Sequence, residues 1–168
     1  MPATPAAALI RALTDRGWRV ATAESLTGGL LAAEIVGVPG ASLAFSGGIV
    51  AYDTALKESL LGVDGARLAE TGPVDAIVAE QMADGVRRAC AVDGAPADLG
   101  ISTTGVAGPD PDPRTGQPAG TVHIGIATAA GCRSVSLTLD GDRAAIRAAA
   151  VARAVAEALA EVTAHPIR

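Results

Sequence analysis

The chain has 168 residues, of which 49% are apolar and 18% charged, so it is long enough for one domain with a real core and too apolar for a disordered segment. Its net charge of −5 and single Trp, Tyr and Phe exclude a broad basic face for a phosphate backbone and a stacking platform for bases. No apolar run approaches the roughly 20 residues of a membrane span, and no basic stretch precedes the apolar residues of Met1–Ile10, so no membrane span or secretion leader is expected.

Taken in order, Pro5–Asp15 has helical spacing through Leu9, Ile10 and Leu13, and Gly17 ends it. Trp18–Ala23 reads as a short strand, followed by a turn over Glu24–Gly29 and a helix over Leu30–Val36, broken at Val38-Pro39-Gly40. Leu43–Ala51 reads as a second strand. Asp53 or Thr54 can cap a short helix over Ala55–Leu61 that stops at Gly62. The spacing of Ile77, Val78, Met82 and Val86 predicts a helix over Val74–Ala91. Asp98–Thr103 reads as a strand, and Gly105–Gly120 as a loop rich in Gly and Pro. Thr121–Thr128 and Arg133–Leu139 form a hairpin joined at Ala130-Gly131. A final helix spans Asp142–Glu161. The order predicts a single α/β domain, a three-layer α/β/α sandwich with a mixed central sheet whose core covers residues 5–160.

The two cysteines, Cys90 and Cys132, lack metal-ligand spacing and read as buried free thiols of a reducing compartment, the cytoplasm. His123 in a strand and His165 in the C-terminal tail have no ligand-spaced partners, so no metal is expected.

Two glycine-rich turns follow strands. In the first, Ser25 precedes Thr27-Gly28-Gly29 at a helix start, where free N–H groups favour a phosphate or a developing oxyanion. Glu24, Ser25 and Thr27 in this pattern equally suit plain helix capping, and a Walker A loop is excluded because no Lys follows the last Gly. The second, Thr104-Gly105-Val106-Ala107-Gly108-Pro109, would converge with the first at the carboxyl end of the sheet. A serine nucleophile needs a proton acceptor. The chain uses arginine twelve times and lysine once, and that Lys57 stands five residues after the sole tyrosine, Tyr52. A coding bias towards arginine explains the missing lysines but not the one that remains. Lys57 would have to be neutral to act, and Tyr52 would relay a proton or hold the amine. Arg143 at the start of the last helix either grips a phosphate bidentately or pairs with Asp140 or Asp142 at the surface.

Together these segments resemble one family. Thr22-Ala23-Glu24-Ser25-Leu26-Thr27-Gly28-Gly29 is similar to its T-A-E-S-C-T-G-G. Phe45-Ser46-Gly47-Gly48-Ile49-Val50-Ala51-Tyr52, with Lys57 and Leu61-Gly62-Val63, resembles a second stretch. Thr104–Pro109 with Pro118-Ala119-Gly120-Thr121-Val122 resembles a third, and Gly141-Asp142-Arg143 with Ile146-Arg147 completes the match. The family is the CinA C-terminal domain, or nicotinamide-nucleotide amidase.

The resemblance implies an α/β/α fold, a homo-oligomer, and conversion of nicotinamide mononucleotide to nicotinic acid mononucleotide with release of ammonia. It implies Ser25 as nucleophile with Tyr52 and Lys57 as partners, and no cofactor. Backbone N–H groups of Thr27–Gly29 would hold the oxyanion. Glu24, Thr27, Gly28, Gly29, Thr104, Gly105, Ala107, Gly108 and Arg143 would line the substrate site. No nucleic-acid or membrane partner is implied.

Leu26 departs from the usual Cys, so a thiol there is not needed for chemistry. Asp110-Pro111-Asp112-Pro113 departs from glycines; its prolines remove donors and its aspartates repel phosphate. Larger proteins of the family carry an additional N-terminal domain, with no counterpart expected in this chain. Two further readings stay open: hydrolysis of another amide on a phosphorylated nucleotide or sugar, and a non-catalytic nucleotide-binding module.

Overall fold

The computed structural model describes residues 4–164, so His165 lies outside the described residues. Helix α1 (Pro5–Arg16) starts where Thr4 Oγ1 accepts from Ala7 N and Pro5 occupies a position that needs no N–H. Strand β1 (Val20–Glu24), helix α2 (Leu30–Val36), a 3₁₀ turn (Ala41–Leu43) and strand β2 (Phe45–Val50) follow. Then come α3 (Thr54–Leu61), α4 (Gly65–Thr71) and α5 (Ala76–Ala89). Asp53, Asp64 and Asp75 cap these three helices in turn, each carboxylate accepting from an N–H of the first turn. Strands β3 (Leu99–Gly105), β4 (Thr121–Thr128) and β5 (Gly131–Thr138) lead into α6 (Arg143–Ala164).

The sheet order is β2-β1-β3-β4-β5, with β1 parallel to β2 and β3, and β4 antiparallel to both β3 and β5. The predicted three-layer sandwich with a mixed sheet is the fold observed. One face of the sheet (Val20, Leu99, Ile101, Val122, Ile124, Ile126) packs on Leu9 and Leu13 of α1, Leu31 and Ile35 of α2, and Ile146 and Val155 of α6. Each such buried aliphatic contributes about 1.5–3 kcal/mol. The other face presents small residues, Ala21 and Ala23 among them, to Val78, Met82 and Val86 of α5. Glycine is required there by proximity: a Cβ at Gly100 or Gly125 would collide with the carbonyl oxygens of Ala83 or Ala79. Helix α5 therefore lies directly on the sheet.

The chain leaves β1 by α2 on one face and leaves β2 by α3–α5 on the other. Its direction of winding switches between β1 and β3, and a crevice opens beyond their carboxyl ends.

Three local expectations need correction. Helix α4 falls in a segment to which no element was assigned, because GARLAET buries only Leu68 and shows no apolar periodicity. The strand expected from Leu43 begins at Phe45, after the 3₁₀ turn. Cys132, expected to be buried, is exposed on the edge strand β5, and Cys90 is half-buried at the end of α5. Among the described residues, no helix is long and apolar enough to cross a membrane.

Candidate active site

Strand β1 runs directly into Ser25, whose N–H donates to Thr103 O of the adjacent β3 at 3.0 Å. The serine is 8% exposed, enough for its hydroxyl to face the crevice. Helix α3 carries Lys57 inward from the opposite side of the crevice, and its side chain is fully buried. Lys57 Nζ lies 3.1 Å from Ser25 Oγ, 2.6 Å from Ala51 O and 3.3 Å from Tyr52 O. As an ammonium it donates to all three. As a neutral amine it can give its two protons to the carbonyls and turn its lone pair to the serine hydroxyl. Burial pulls the lysine pKa down to about 8, against the opposing pull of the Asp53 carboxylate at the head of the same helix. The arrangement can abstract a proton from Ser25 at neutral to mildly alkaline pH.

Glu24 points away from the crevice. Its buried carboxylate accepts from Thr27 Oγ1 at 2.6 Å, Gly29 N at 2.9 Å, Leu31 N at 3.0 Å and Ala32 N at 2.8 Å. Gly28 N donates to Ser25 O at 3.1 Å. The N–H groups of Gly28 and Gly29, expected to serve a ligand, are thus taken by the protein itself, and Glu24, Thr27, Gly28 and Gly29 do not line the crevice. They shape the turn: Gly28 and Gly29 take φ of 57° and 99°, a region that side chains disfavour. Thr27 Oγ1 also meets Thr103 Oγ1 at 2.7 Å, which ties the turn to β3.

The crevice is a cleft of about 140 Å³. Ser25, Tyr52, Lys57, Thr104, Gly105, Ala107 and Arg143 line it, all from the expected set. Tyr52 is 61% exposed and stands at the rim, where its phenol oxygen accepts from Arg143 at 3.2 Å. Its main-chain carbonyl, not its phenol, meets Lys57. Arg143 makes no ion pair with Asp140 or Asp142 among the described residues; it also donates to Gly108 O at 2.7 Å, bridging the second glycine-rich loop to the rim.

Two residues that the sequence reading named only in motif comparison have defined places at the site. Asp112 of the Asp-Pro loop lines the cleft, its Oδ1 accepting from Thr115 N at 2.7 Å, Thr115 Oγ1 at 2.9 Å and Arg114 N at 3.0 Å. Those bonds, led by the Thr115 N–H, hold its pKa below the usual carboxylate value. Arg147 donates from Nε to Leu26 O and from its terminal nitrogen to Thr27 O, both at 2.9 Å. Its signal was the spacing of four from Arg143, which puts both guanidinium groups on one side of α6. Among the described residues, no group of three His, Cys, Asp or Glu side chains could hold a metal ion.

Comparison with known proteins agrees with this architecture. A CinA-like protein of Frankia casuarinae is 49% identical over 135 residues, 80% of this chain and 30% of that protein. A putative competence-damage inducible protein of Geobacillus kaustophilus is 46% identical over 136 residues, 80% of this chain and 31% of that protein. The chain thus spans roughly a third of the length of these relatives. A crystal structure of a CinA superfamily protein from Klebsiella pneumoniae superposes with a TM-score of 0.89 at 30% identity, over 96% of this chain and 97% of that one. One from Escherichia coli gives 0.84 at 30% identity, over 92% and 87%. Residues 3–162 match the family described as the CinA C-terminal domain, and the chain belongs to that family.

Proposed function

We propose that this domain is an amidohydrolase that converts nicotinamide mononucleotide to nicotinic acid mononucleotide and ammonia. The observation that carries the reading is the buried contact of 3.1 Å between Lys57 Nζ and Ser25 Oγ, with Lys57 lowered to about 8. In the neutral form Lys57 takes the hydroxyl proton as Ser25 Oγ attacks the carboxamide carbon. The tetrahedral intermediate collapses by breaking the C–N bond; the lysine returns the proton to the departing nitrogen, and ammonia leaves an ester on Ser25. Water, deprotonated by the same amine, attacks the ester and releases the carboxylic acid.

At about 140 Å³ the cleft is smaller than the roughly 300–1,000 Å³ of sites that enclose a drug-sized molecule. It suits the reacting pyridine carboxamide, with ribose and phosphate lying across the rim towards Arg143. Tyr52 then acts as a rim residue that steadies Arg143, rather than as a proton relay.

The test is ammonia release from nicotinamide mononucleotide by the purified protein beside Ser25→Ala. Release by the wild type that the variant lacks supports the reading. No release from folded wild type removes this substrate. A second reading, an amide on a different phosphorylated sugar, is favoured by one observation: Asp112 puts a carboxylate on the wall of the cleft. A panel of amides assayed for ammonia separates the two. The homo-oligomer implied by the family resemblance is likewise a proposal, checked by sedimentation.

A further inference from the structure

The cleft is lined by two cationic side chains, Lys57 and Arg143, and by one carboxylate, Asp112, which the chemistry at Ser25 does not use. Oδ1 of that carboxylate accepts from Thr115 N, Thr115 Oγ1 and Arg114 N, all within its own loop. Among the described residues Oδ2 accepts no hydrogen bond, and Asp112 forms no ion pair. The guanidinium of Arg114 is spent on Leu68 O at 2.6 Å, so no cation touches the carboxylate. The turn bonds also favour its ionised form, holding its pKa below the usual value. Pro111 and Pro113 on either side restrict the backbone. A negative charge is thus fixed on the wall of the cleft, with one oxygen to spare.

Amide hydrolysis turns a neutral group of the ligand into an anion inside that cleft. When water opens the ester on Ser25, the new C–O bond forms, the C–Oγ bond breaks and Oγ recovers a proton. The acid released gives its own proton to Lys57, whose pKa of about 8 lies far above the carboxylic range. The product is then a carboxylate beside an ammonium, a pair that attracts strongly where water is partly excluded. With Arg143 at the rim, the two cations would hold the acid more tightly than the amide it came from. Asp112 is the group on the wall that opposes this. The carboxylate that acts on Lys57 is Asp53 and not Asp112, so Asp112 leaves the base alone and acts on the ligand.

We propose that Asp112 is a specificity-determining residue that rejects the acid product, through repulsion between its carboxylate and the one formed in the cleft. A neutral carboxamide of the same shape meets no such repulsion, so the residue separates substrate from product rather than one amide from another. The proposal rests on the amidase reading, but not on the identity of the amide.

Nicotinamide mononucleotide and nicotinic acid mononucleotide carry the same phosphate, so its repulsion by Asp112 cancels in the ratio of their dissociation constants. Both constants are measured by titration calorimetry on Ser25→Ala, which cannot turn over the amide, with and without Asp112→Asn. Asparagine keeps an oxygen for the three turn donors and loses the charge, and thermal unfolding confirms the fold. Asp112→Ser, whose hydroxyl still accepts, carries the test should the asparagine variant not fold. A second pair, benzamide and benzoate, needs no nucleotide. Each is scored by its protection of Ser25 from a fluorophosphonate probe, in the wild type and in Asp112→Asn. That probe forms an Oγ–P bond and expels fluoride, the hydroxyl proton passing to Lys57.

Asp112→Asn is expected to tighten the acid by roughly three- to tenfold more than the amide, and to favour benzoate over benzamide in the same sense. An acid-to-amide ratio that does not move, in whichever pair binds, overturns the proposal. This holds even if both nucleotides bind more tightly, because Asp112 then acts on the phosphate alone. A ratio that moves towards the amide overturns it too. If neither nucleotide binds while benzoate gains on benzamide, nicotinamide mononucleotide falls as the substrate and the proposal stands. No labelling of Ser25 in folded wild type removes the amidase reading and the proposal together.

Discussion

Two glycine-rich segments meet at the same end of the sheet, and they are built on opposite plans. The turn at Ser25–Gly29 is anchored in the core: the buried Glu24 carboxylate collects four donors, Thr103 holds two points of it, and Arg147 closes it from α6. The segment from Gly108 to Pro118 lies mostly exposed. It folds on itself around Asp112, tied to the body by side-chain bonds from Arg114 to Leu68 O at 2.6 Å, from Gln117 to Val74 O at 3.0 Å and from Arg143 to Gly108 O at 2.7 Å. A reacting serine must be held to within about half an ångström, and only packed elements achieve that. A wall that selects substrates tolerates change, and this one carries aspartate and proline where the family resemblance leads one to expect glycine.

The comparison breaks first at Lys57 if it is wrong. Arginine stays protonated, so Lys57→Arg should lower ammonia release by about 10²–10⁴-fold, the usual share of a general base. Retained activity in that variant would remove Lys57 as the base. The anchor is tested by Glu24→Ala, which strands the N–H groups of Gly29, Leu31 and Ala32. It should cost about 3 kcal/mol or more in urea unfolding, with Glu24→Gln milder, because an amide oxygen can still accept. An alanine variant as stable as wild type would mean the turn needs no such anchor.

The pH dependence sharpens the same contrast. The working form of Lys57 is neutral, so the rate should rise with pH and level off above about 8, falling tenfold per unit well below it. Asp53 favours the charged amine, so Asp53→Asn, which keeps the cap on α3, should move that midpoint to lower pH. An unmoved or higher midpoint would mean that Asp53 does not act on Lys57. The smallest effect belongs to the exposed loop. Asp112→Asn should lower KM for a phosphorylated substrate by roughly threefold by removing one repelling charge, with stability and kcat nearly unchanged. A loss of kcat comparable to that of Lys57→Arg would erase the distinction between the two segments.

Much of the fold was legible because its signals are local. Periodicity marked α1, α5 and α6, and the Asp53 cap and the left-handed glycines Gly17 and Gly62 marked helix ends. Helix α4 was missed although Asp64 caps it, because a helix that buries one leucine has almost no apolar pattern. Cys132 was misjudged because a small apolar residue on an edge strand need not be covered. In the site, Ser25 and Lys57 could be picked out as chemically unusual. The work of Glu24 and Arg147 could not be seen, since both act on main-chain groups that a sequence does not display.

By itself, then, the sequence determined the alternation of elements, the sandwich that follows from it and the chemical types available at the crevice. Tertiary structure decided which of those groups meet. Lys57 reaches Ser25, 32 positions away, because α3 and β1 converge at the switch point of the sheet. At the Ser25 turn and the start of α2, Glu24 takes the N–H groups of Gly29, Leu31 and Ala32 while Arg147 takes the carbonyls of Leu26 and Thr27. Such assignments depend on peptide orientation and on exclusion of water, which arise only when distant segments pack.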